Sequence, residues 1–365
     1  MTLPFLDDFR QGTHVRALME QLAERAGSLE HPVRIMEVCG THTMSISRHG
    51  IRQALPEALT LISGPGCPVC VTANADIDSF IEIALKPDVI ATTFGDMLRV
   101  PGTKMGLAQA RGRGARVQIV YSTLDALQLA RDNPEATVVF FGIGFETTAP
   151  TVAAAILEAS ETGVDNFLVL SAHKVVPPAL EALCRTPGLA VDAFLCPGHV
   201  TAIIGPEAYR PVAGEFGIPC VVAGFEPADI LQSLIMLTGQ LADGRSEVEV
   251  QYTRGVRPGG NPAAMSLMEQ VFEPCDAEWR GLGVIPGSGL AIREEFAAHD
   301  ASRRFIVDVG YSREPSGCLC GSILTGLRIP PDCPLFGKGC TPDHPVGPCM
   351  VSSEGTCAAY FKYEL

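Results

Sequence analysis

Two cysteines separated by two residues stand in a glycine- and proline-rich turn, GPGCPVC, at residues 64–70. Sulfurs at this spacing can join as a small-ring disulfide, and nearby backbone N–H groups stabilise one of the thiolates. The proline between Cys67 and Cys70 is more typical of redox-active dithiols than of zinc knuckles, and a zinc knuckle would need a second pair nearby, which the sequence lacks. The turn therefore favours a redox dithiol, with metal ligation and a purely structural role as alternatives.

A second turn, CGTHT at residues 39–43, places a thiol and an imidazole three residues apart. Cys39 and His42 would suit iron, copper or zinc, and they would equally suit a nucleophile with a neighbouring base. His42 could also act from outside the ligand set, by orienting a thiolate or donating to a bound anion. The structural alternative is a small buried cysteine with His42 bonded to the backbone.

Six of the thirteen cysteines follow residue 317, and this enrichment marks the tail as a metal-binding candidate. Cys318, Cys333, Cys340 and Cys357 are separated by 14, 6 and 16 residues, and two further cysteines, Cys320 and Cys349, lie outside that set. Such wide spacing is unlike the compact runs of ferredoxins or the paired spacing of zinc ribbons. Four thiolates satisfy a [4Fe–4S] cube or a structural zinc ion, and spacing alone does not choose between them. The four cysteines scattered through the middle of the chain are expected to behave as small hydrophobes.

A third glycine-rich turn, GIGFETT at residues 142–148, follows an apolar run. It comes close to a dinucleotide-binding fingerprint but lacks the third glycine, and no P-loop motif occurs anywhere in the chain. Glu146 would stand at a helix start, where carboxylates are common caps, so a capped turn and a ligand contact are both open. His173 and His199 follow later strands in the same way.

The overall composition narrows the class of protein. A net charge of −14 with only 27 Lys and Arg argues against nucleic acid or an anionic membrane as the main partner. No apolar run approaches the roughly 20 residues of a membrane helix, and the acidic start, MTLPFLDDFRQG, does not read as an export signal. Thirteen cysteines are too dilute for a disulfide-stapled secreted scaffold, so we expect metal or redox thiols in the cytoplasm.

The elements that must position these turns come in two matching sets. Four short apolar runs in the first third of the chain are followed by four more, with matching members offset by about 103 to 108 residues. Amphipathic stretches lie between the runs, which indicates parallel sheets covered by helices. Ligands in such sheets sit beyond the carboxyl ends of the strands, so the turns named above are expected to line one cleft.

This pattern predicts an α/β fold with two similar parallel-sheet domains and a third, Cys-rich iron–sulfur domain. The predicted boundaries are 31–132 for the first domain, 133–240 for the second and 241–365 for the third. Residues 1–30 are predicted to form an amphipathic helix, through Val15, Leu18, Met19 and Leu22, that packs on the third domain.

Taken together, CGTHT, GPGCPVCVT, GFETT, PGHV and the spacing of the tail cysteines resemble the HypD family of [NiFe]-hydrogenase maturation factors. The resemblance covers nearly the whole chain. It implies two similar α/β domains and a third domain that bears a [4Fe–4S] cluster. It also implies a function: a scaffold on which the Fe(CN)2CO unit is assembled with a HypC-type chaperone, with cyanide supplied through HypE and HypF.

The resemblance further implies roles for individual residues. Cys39 would hold the Fe(II) cargo that carries CN and CO, together with the amino-terminal cysteine of the chaperone. Cys67 and Cys70 would be the redox dithiol, and His42 and Glu146 would surround the iron site. The cluster would be ligated by Cys318, Cys333, Cys340 and Cys357, for which Cys320 and Cys349 lie close enough to substitute.

We therefore expect an accessory scaffold with redox activity rather than a conventional turnover enzyme. Electrons would pass from the cluster to the Cys67–Cys70 pair and on toward the iron at Cys39, which requires the GPGCPVC turn to lie between the other two sites. One alternative is a thiol–disulfide oxidoreductase whose tail holds structural zinc. Another is a nucleotide-dependent enzyme that uses the GIGFETT turn.

Overall fold

The computed structural model describes residues 12–365, which form eleven strands and a surrounding set of helices. The strands are β1 Val33–Glu37, β2 Leu59–Ser63, β3 Val89–Thr93, β4 Arg116–Ile119, β5 Thr137–Gly142, β6 Phe167–Ser171, β7 Ala193–Pro197, β8 Cys220–Ala223, β9 Val248–Val250, β10 Phe272–Trp279 and β11 Gly283–Ile292. The α-helices are α1 Gly12–Ala26, α2 Gly40–Arg48, α3 Ile51–Ala54, α4 Pro68–Val71, α5 Asn74–Ala84, α6 Leu107–Gly112, α7 Thr123–Asp132, α8 Ala149–Thr162, α9 Val176–Cys184, α10 Gly198–Ile204, α11 Arg210–Phe216, α12 Pro227–Ala242, α13 Pro262–Val271, α14 Ala301–Arg304, α15 Cys320–Leu324 and α16 Thr356–Tyr363. Short 3-10 turns cover Gly95–Arg99, Pro206–Tyr209, Glu294–His299, Pro330–Asp332 and Pro348–Met350.

Two parallel sheets organise the fold, as predicted. The first sheet has the order β2-β1-β7-β8-β9 and the second has the order β4-β3-β5-β6. Most of their strands are buried on both faces, because helices cover both sides of each sheet, and β3 is buried at every residue. The continuous apolar runs in the sequence are the result of this double coverage.

The internal repeat is present, but its halves exchange strand pairs. The first sheet takes β1 and β2 from the first set of runs and β7 and β8 from the second, whereas the second sheet takes β3 and β4 from the first set and β5 and β6 from the second. When each strand is replaced by its counterpart in the other set, the order β2-β1-β7-β8 becomes β6-β5-β3-β4, which is the second sheet read from its other edge. The two sheets are therefore similar in topology.

The domain boundaries predicted at 132/133 and 240/241 are consequently wrong. A division at residue 132 separates β3 and β4 from their sheet partners β5 and β6, and β9, which lies beyond residue 240, completes the first sheet. The offset between repeats identifies which strands are equivalent, but it carries no information on which strands share hydrogen bonds. Residues after 250 also do not form a separate body, because α13 packs on α8 and α16 packs on α2.

The amino-terminal helix also packs elsewhere than predicted. Leu18 and Leu22 of α1 are buried in one cluster with Leu231 and Leu234 of α12, which covers the first sheet. The predicted docking on the Cys-rich part is therefore wrong for α1, while residues 1–11 of that prediction lie outside the described residues. Among residues 12–365, no helix is long and apolar enough to cross a membrane.

Candidate metal and redox centre

The CGTHT and GPGCPVC turns touch through their backbones. They follow β1 and β2, which are neighbouring parallel strands, so their carboxyl ends meet at one edge of the first sheet. The N–H of Gly40 donates to the carbonyl of Gly66 at 2.9 Å. A side chain at position 66 would lie 2.5 Å from the carbonyl carbon of Val38 and closer still to the backbone nitrogen of Cys39. Only glycine permits this approach, and it fixes Cys39 beside the turn that carries Cys67.

Cys39 caps the amino terminus of α2, and the residue as a whole is half-buried. Burial, and secondarily the Glu354 carboxylate, raise the pKa of this thiol to about 11, although the backbone N–H groups of His42 and Thr41 act in the opposite direction. The thiol is therefore protonated near neutral pH. A soft metal that binds it must displace that proton, so metal binding and proton release are coupled at this site.

A carboxylate from the tail closes over the CGTHT turn. The hydroxyl of Thr41 donates to Glu354 Oε1 at 2.6 Å, and a side chain at Gly40 would lie 2.6 Å from Glu354 Cβ. Nothing in the sequence around Glu354 signals this role, since its partner lies more than 300 residues earlier. The contact brings the last part of the chain directly to the Cys39 site.

His42 and His199, which were predicted on separate turns, both stack on the ring of Phe225. Phe225 stacks on His42 with centroids 4.9 Å apart and on His199 with centroids 3.9 Å apart. His42 Nε2 donates to the carbonyl of Gly224 at 3.0 Å, while its Nδ1 is buried and has no hydrogen-bond partner. Burial lowers the pKa of His42 to about 4, so the ring is neutral at pH 7 and Nδ1 keeps its lone pair.

Glu146 lies in the interior at the end of β5. Its Oε1 accepts the N–H of Val176 at 2.9 Å, its Oε2 has no partner, and burial raises its pKa to about 7. Within residues 12–365 no hydrogen bond or ion pair links Glu146 to the CGTHT turn, so its assignment to the iron site stays a prediction. His173 is equally buried and bonds Ser171 Oγ at 3.1 Å.

The backbone conformation and packing explain why the second glycine of the GIGFETT turn, Gly144, is a glycine. Gly144 adopts a positive φ of 147°, and a side chain there would collide with the hydroxyl of Thr148. This conformation accounts for the second glycine of the motif without a nucleotide.

Cys67 and Cys70 are joined as a disulfide, and both are buried. The Sγ atom of Cys70 lies 4.0 Å from the carbonyl oxygen of Pro348, the residue before Cys349 of the tail. The disulfide turn therefore touches the CGTHT turn on one side and the cysteine-rich tail on the other.

Arg280 holds the disulfide turn from the side of the hairpin β10–β11. Its buried guanidinium donates to the carbonyl of Cys70 at 3.1 Å and to the carbonyl of Thr72 at 3.0 Å. A charged donor that satisfies two buried carbonyls fixes the backbone of the turn. Sequence motifs gave no sign of Arg280, which lies outside every turn discussed above.

All six tail cysteines line one small cavity, together with apolar side chains. Its lining is Cys318, Cys320, Ile323, Cys333, Phe336, Cys340, Gly347, Cys349, Met350 and Cys357. The described residues nevertheless include no group of three or more His, Cys, Asp or Glu side chains already arranged around a metal position. The donor set, soft sulfur in an apolar cavity, fits the chemistry of an iron–sulfur cluster and also that of zinc.

Two of the six sulfurs contact each other. Cys320 Sγ and Cys349 Sγ lie 2.7 Å apart, and both residues are buried. Sulfurs in contact can exchange a proton, and they could join as a disulfide only if a two-electron oxidant removed both protons and two electrons. All six cysteines line the same cavity, and Cys318 and Cys357 also interact with this pair, so the ligand set Cys318, Cys333, Cys340 and Cys357 stays a prediction.

Comparison with known proteins assigns the chain to a family. The family model described as "HypD: Hydrogenase formation hypA family" matches residues 13–364. The protein named hydrogenase maturation factor HypD from Azotobacter vinelandii is 48% identical over 99% of this chain and 97% of its own length. Proteins of the same name from Rhodobacter capsulatus and Escherichia coli are each 47% identical; they cover 99% and 98% of this chain and 98% of their own length. With matches of this extent, the chain belongs to the HypD family of hydrogenase maturation factors.

Proposed function

We propose that the chain is the scaffold on which iron carrying cyanide and CO is assembled for a [NiFe]-hydrogenase. The observation that carries this proposal is the continuous contact from Cys39, through the Cys67–Cys70 turn, to the tail cavity. A metal anchor, a dithiol and a sulfur-lined cavity rarely adjoin by chance. Their adjacency suits a site that must bind iron and deliver electrons to it.

Cys39 is the proposed anchor of the Fe(II) cargo. A soft thiolate binds low-spin iron and leaves its other coordination positions to cyanide, CO and a second thiolate. Cys39 is only half-buried as a residue, and we propose that it meets the amino-terminal cysteine of a HypC-type chaperone, the proposed partner. His42, whose Nδ1 has no partner, lies on the same helix turn, and we propose that its neutral ring is one wall of the iron site.

The tail cysteines are the proposed holders of a [4Fe–4S] cluster, which when bound would supply electrons one at a time. Reduction of the Cys67–Cys70 disulfide consumes two electrons and two protons and yields two thiols. We propose that a low-potential one-electron donor protein supplies these electrons. Cys70 lies on the tail side of the turn, next to Pro348, and Arg280 keeps that turn in place while the sulfurs change state. Cyanide would come from HypE acting with HypF.

The test is infrared spectroscopy of the full chain copurified with its chaperone. Bands of bound CN and CO are expected in the wild-type protein and should vanish in Cys39→Ala. Cys184→Ala is the matched control, because Cys184 is also partly accessible but has no assigned role. Persistence of the bands in Cys39→Ala would refute the assignment of the anchor.

A second function is favoured by the disulfide itself: a thiol–disulfide oxidoreductase with a structural zinc in the tail. Anaerobic purification separates the two. About four iron and four sulfide per chain support the cluster. A colourless protein with one zinc per chain would favour the oxidoreductase.

A further inference from the structure

Arg52 contacts the two strands that precede Cys39 and Cys67, and it also contacts the helix α16 region near residue 364. It belongs to the short helix α3, and only 13% of its side chain is exposed. Its guanidinium bonds the carboxylate of Glu37 at 3.3 Å and the carbonyl of Leu61. Its Nε pairs with the carboxylate of Glu364 at 3.4 Å, and its guanidinium carbon lies 5.1 Å from the centroid of the Tyr360 ring.

Each of these partners leads to a different cysteine site. Glu37 ends β1, two residues before Cys39. Leu61 lies on β2, which leads into the turn of Cys67, and Ser63 at the end of that strand donates to Glu37 Oε1 at 2.6 Å. Glu364 follows α16, the helix that carries Cys357.

The buried pair of Arg52 and Glu37 carries a desolvation cost in free energy. Glu37 is completely buried, its Oε2 has no partner, and burial raises its pKa although Arg52 acts in the opposite direction. A buried carboxylate tolerates such a place only when a cation and hydrogen bonds compensate it. On the Glu364 side of Arg52, the hydroxyl of Ser47 in α2 donates to Glu364 Oε1 at 2.6 Å. This bond links the end of α16 to the helix that Cys39 caps.

We propose that Arg52 is a positioning residue that sets the placement of the three cysteine sites relative to one another. Its planar fork donates in fixed directions to Glu37 and to the carbonyl of Leu61 while its charge faces Glu364, and a lysine ammonium cannot reproduce this. The inference rests on the proposed function only for the roles of the three sites. The positioning role of Arg52 is measured through thiol reactivities that need no bound iron. It can therefore be refuted while the infrared test supports Cys39 as the anchor, and it can be supported while that test refutes Cys39.

Two variants of the full chain test it. Glu364→Gln removes the anion at the end of α16 and leaves the pairing of Arg52 with Glu37. Arg52→Lys keeps the charge and loses the fork. Glu158→Gln is the matched control, since it breaks an exposed ion pair of 2.7 Å with Arg131 on the outside of the second sheet.

The readouts are the alkylation rates of single cysteines, followed by mass spectrometry, and the equilibrium constant of the Cys67–Cys70 disulfide with dithiothreitol. In both variants we expect Cys39 and Cys357 to react at least fivefold faster and the disulfide equilibrium to shift at least threefold. Buried Cys196 serves as an internal reporter of general opening and should keep its rate. Wild-type values in both variants would overturn the proposal, as would an equal acceleration of Cys196. If Arg52→Lys does not fold, Glu364→Gln decides alone.

Discussion

Substitution of Gly66 by alanine should disable the contact on which the Cys39 site depends. The added Cβ would fall 2.5 Å from the carbonyl carbon of Val38 and even closer to the backbone nitrogen and Cα of Cys39. All three atoms are backbone, so no side chain can rotate away to make room. Gly66 has no positive φ, and the cost is therefore steric. Overpacking of a tight site typically costs about 1–3 kcal/mol, and the rigid surroundings place this variant at the upper end of that range.

The assay is equilibrium unfolding in guanidinium chloride, followed through the fluorescence of the single tryptophan. Trp279 is buried and pairs with Thr72 just after the disulfide turn, so it reports on the affected region. Gly214→Ala is the matched control. Gly214 lies within helix α11 with nothing within 4 Å of an added Cβ, so alanine there should stabilise by about 0.5–1 kcal/mol.

The Cys39 thiol supplies a second readout in the same protein. Gly66→Ala should increase its alkylation rate, because the two turns must separate to admit the methyl group. An unfolding free energy within about 0.5 kcal/mol of the wild type, the usual scatter of neutral surface changes, together with an unchanged Cys39 rate, would show that the turns are not held in this contact.

Three further outcomes can be checked. The alkylation rate of Cys39 should rise with pH toward an inflection near 11, and Glu354→Gln should move that inflection down because it removes the nearby negative charge. The pKa of Glu146 is raised from 4.5 to about 7, so the folded state favours its protonated form. The free energy of unfolding should therefore fall as pH rises from about 4.5 to 7. In Glu146→Gln, the free energy of unfolding should change less over that pH range. Arg280→Met leaves two buried carbonyls of the disulfide turn unpaired and should destabilise the protein by about 2–4 kcal/mol, measured by the same unfolding assay, with a near-neutral result contradicting its role.

Local sequence patterns were sufficient for the strands β1 to β8, the turns and the grouping of the cysteines, but they did not predict β9 or the hairpin β10–β11. Apolar runs buried on both faces and Gly-rich turns at their ends are short-range features, and they place Cys39 and Cys67 at strand ends. The pairing of strands is not a short-range feature. β1 is bonded to β7, about 160 residues later, and the repeat offset is compatible with paired or exchanged halves alike.

The same reasoning explains which site residues were missed. Glu354, Arg280 and Arg52 act through partners that are distant in the chain or through backbone carbonyls, so no motif surrounds them. Their side chains are ordinary charged residues until the fold brings them to a buried partner. The cysteines, in contrast, were visible because their number and spacing are unusual in any context.

The exchange of strand pairs has a consequence for how the protein acquires its shape during synthesis. The second sheet is built from one continuous stretch, β3 to β6, but the first sheet needs strands on both sides of that stretch, from β1 to β9, and long separations between contacting residues slow folding. The GPGCPVC turn begins the passage from the first sheet to the second, and its partner Pro348 is translated 278 residues after Cys70. Cys39, the disulfide and the sulfur-lined cavity thus come together only after the residues that follow both sheets have left the ribosome. In a nascent chain the cysteines would accordingly be far apart and would not yet form the proposed metal-binding sites.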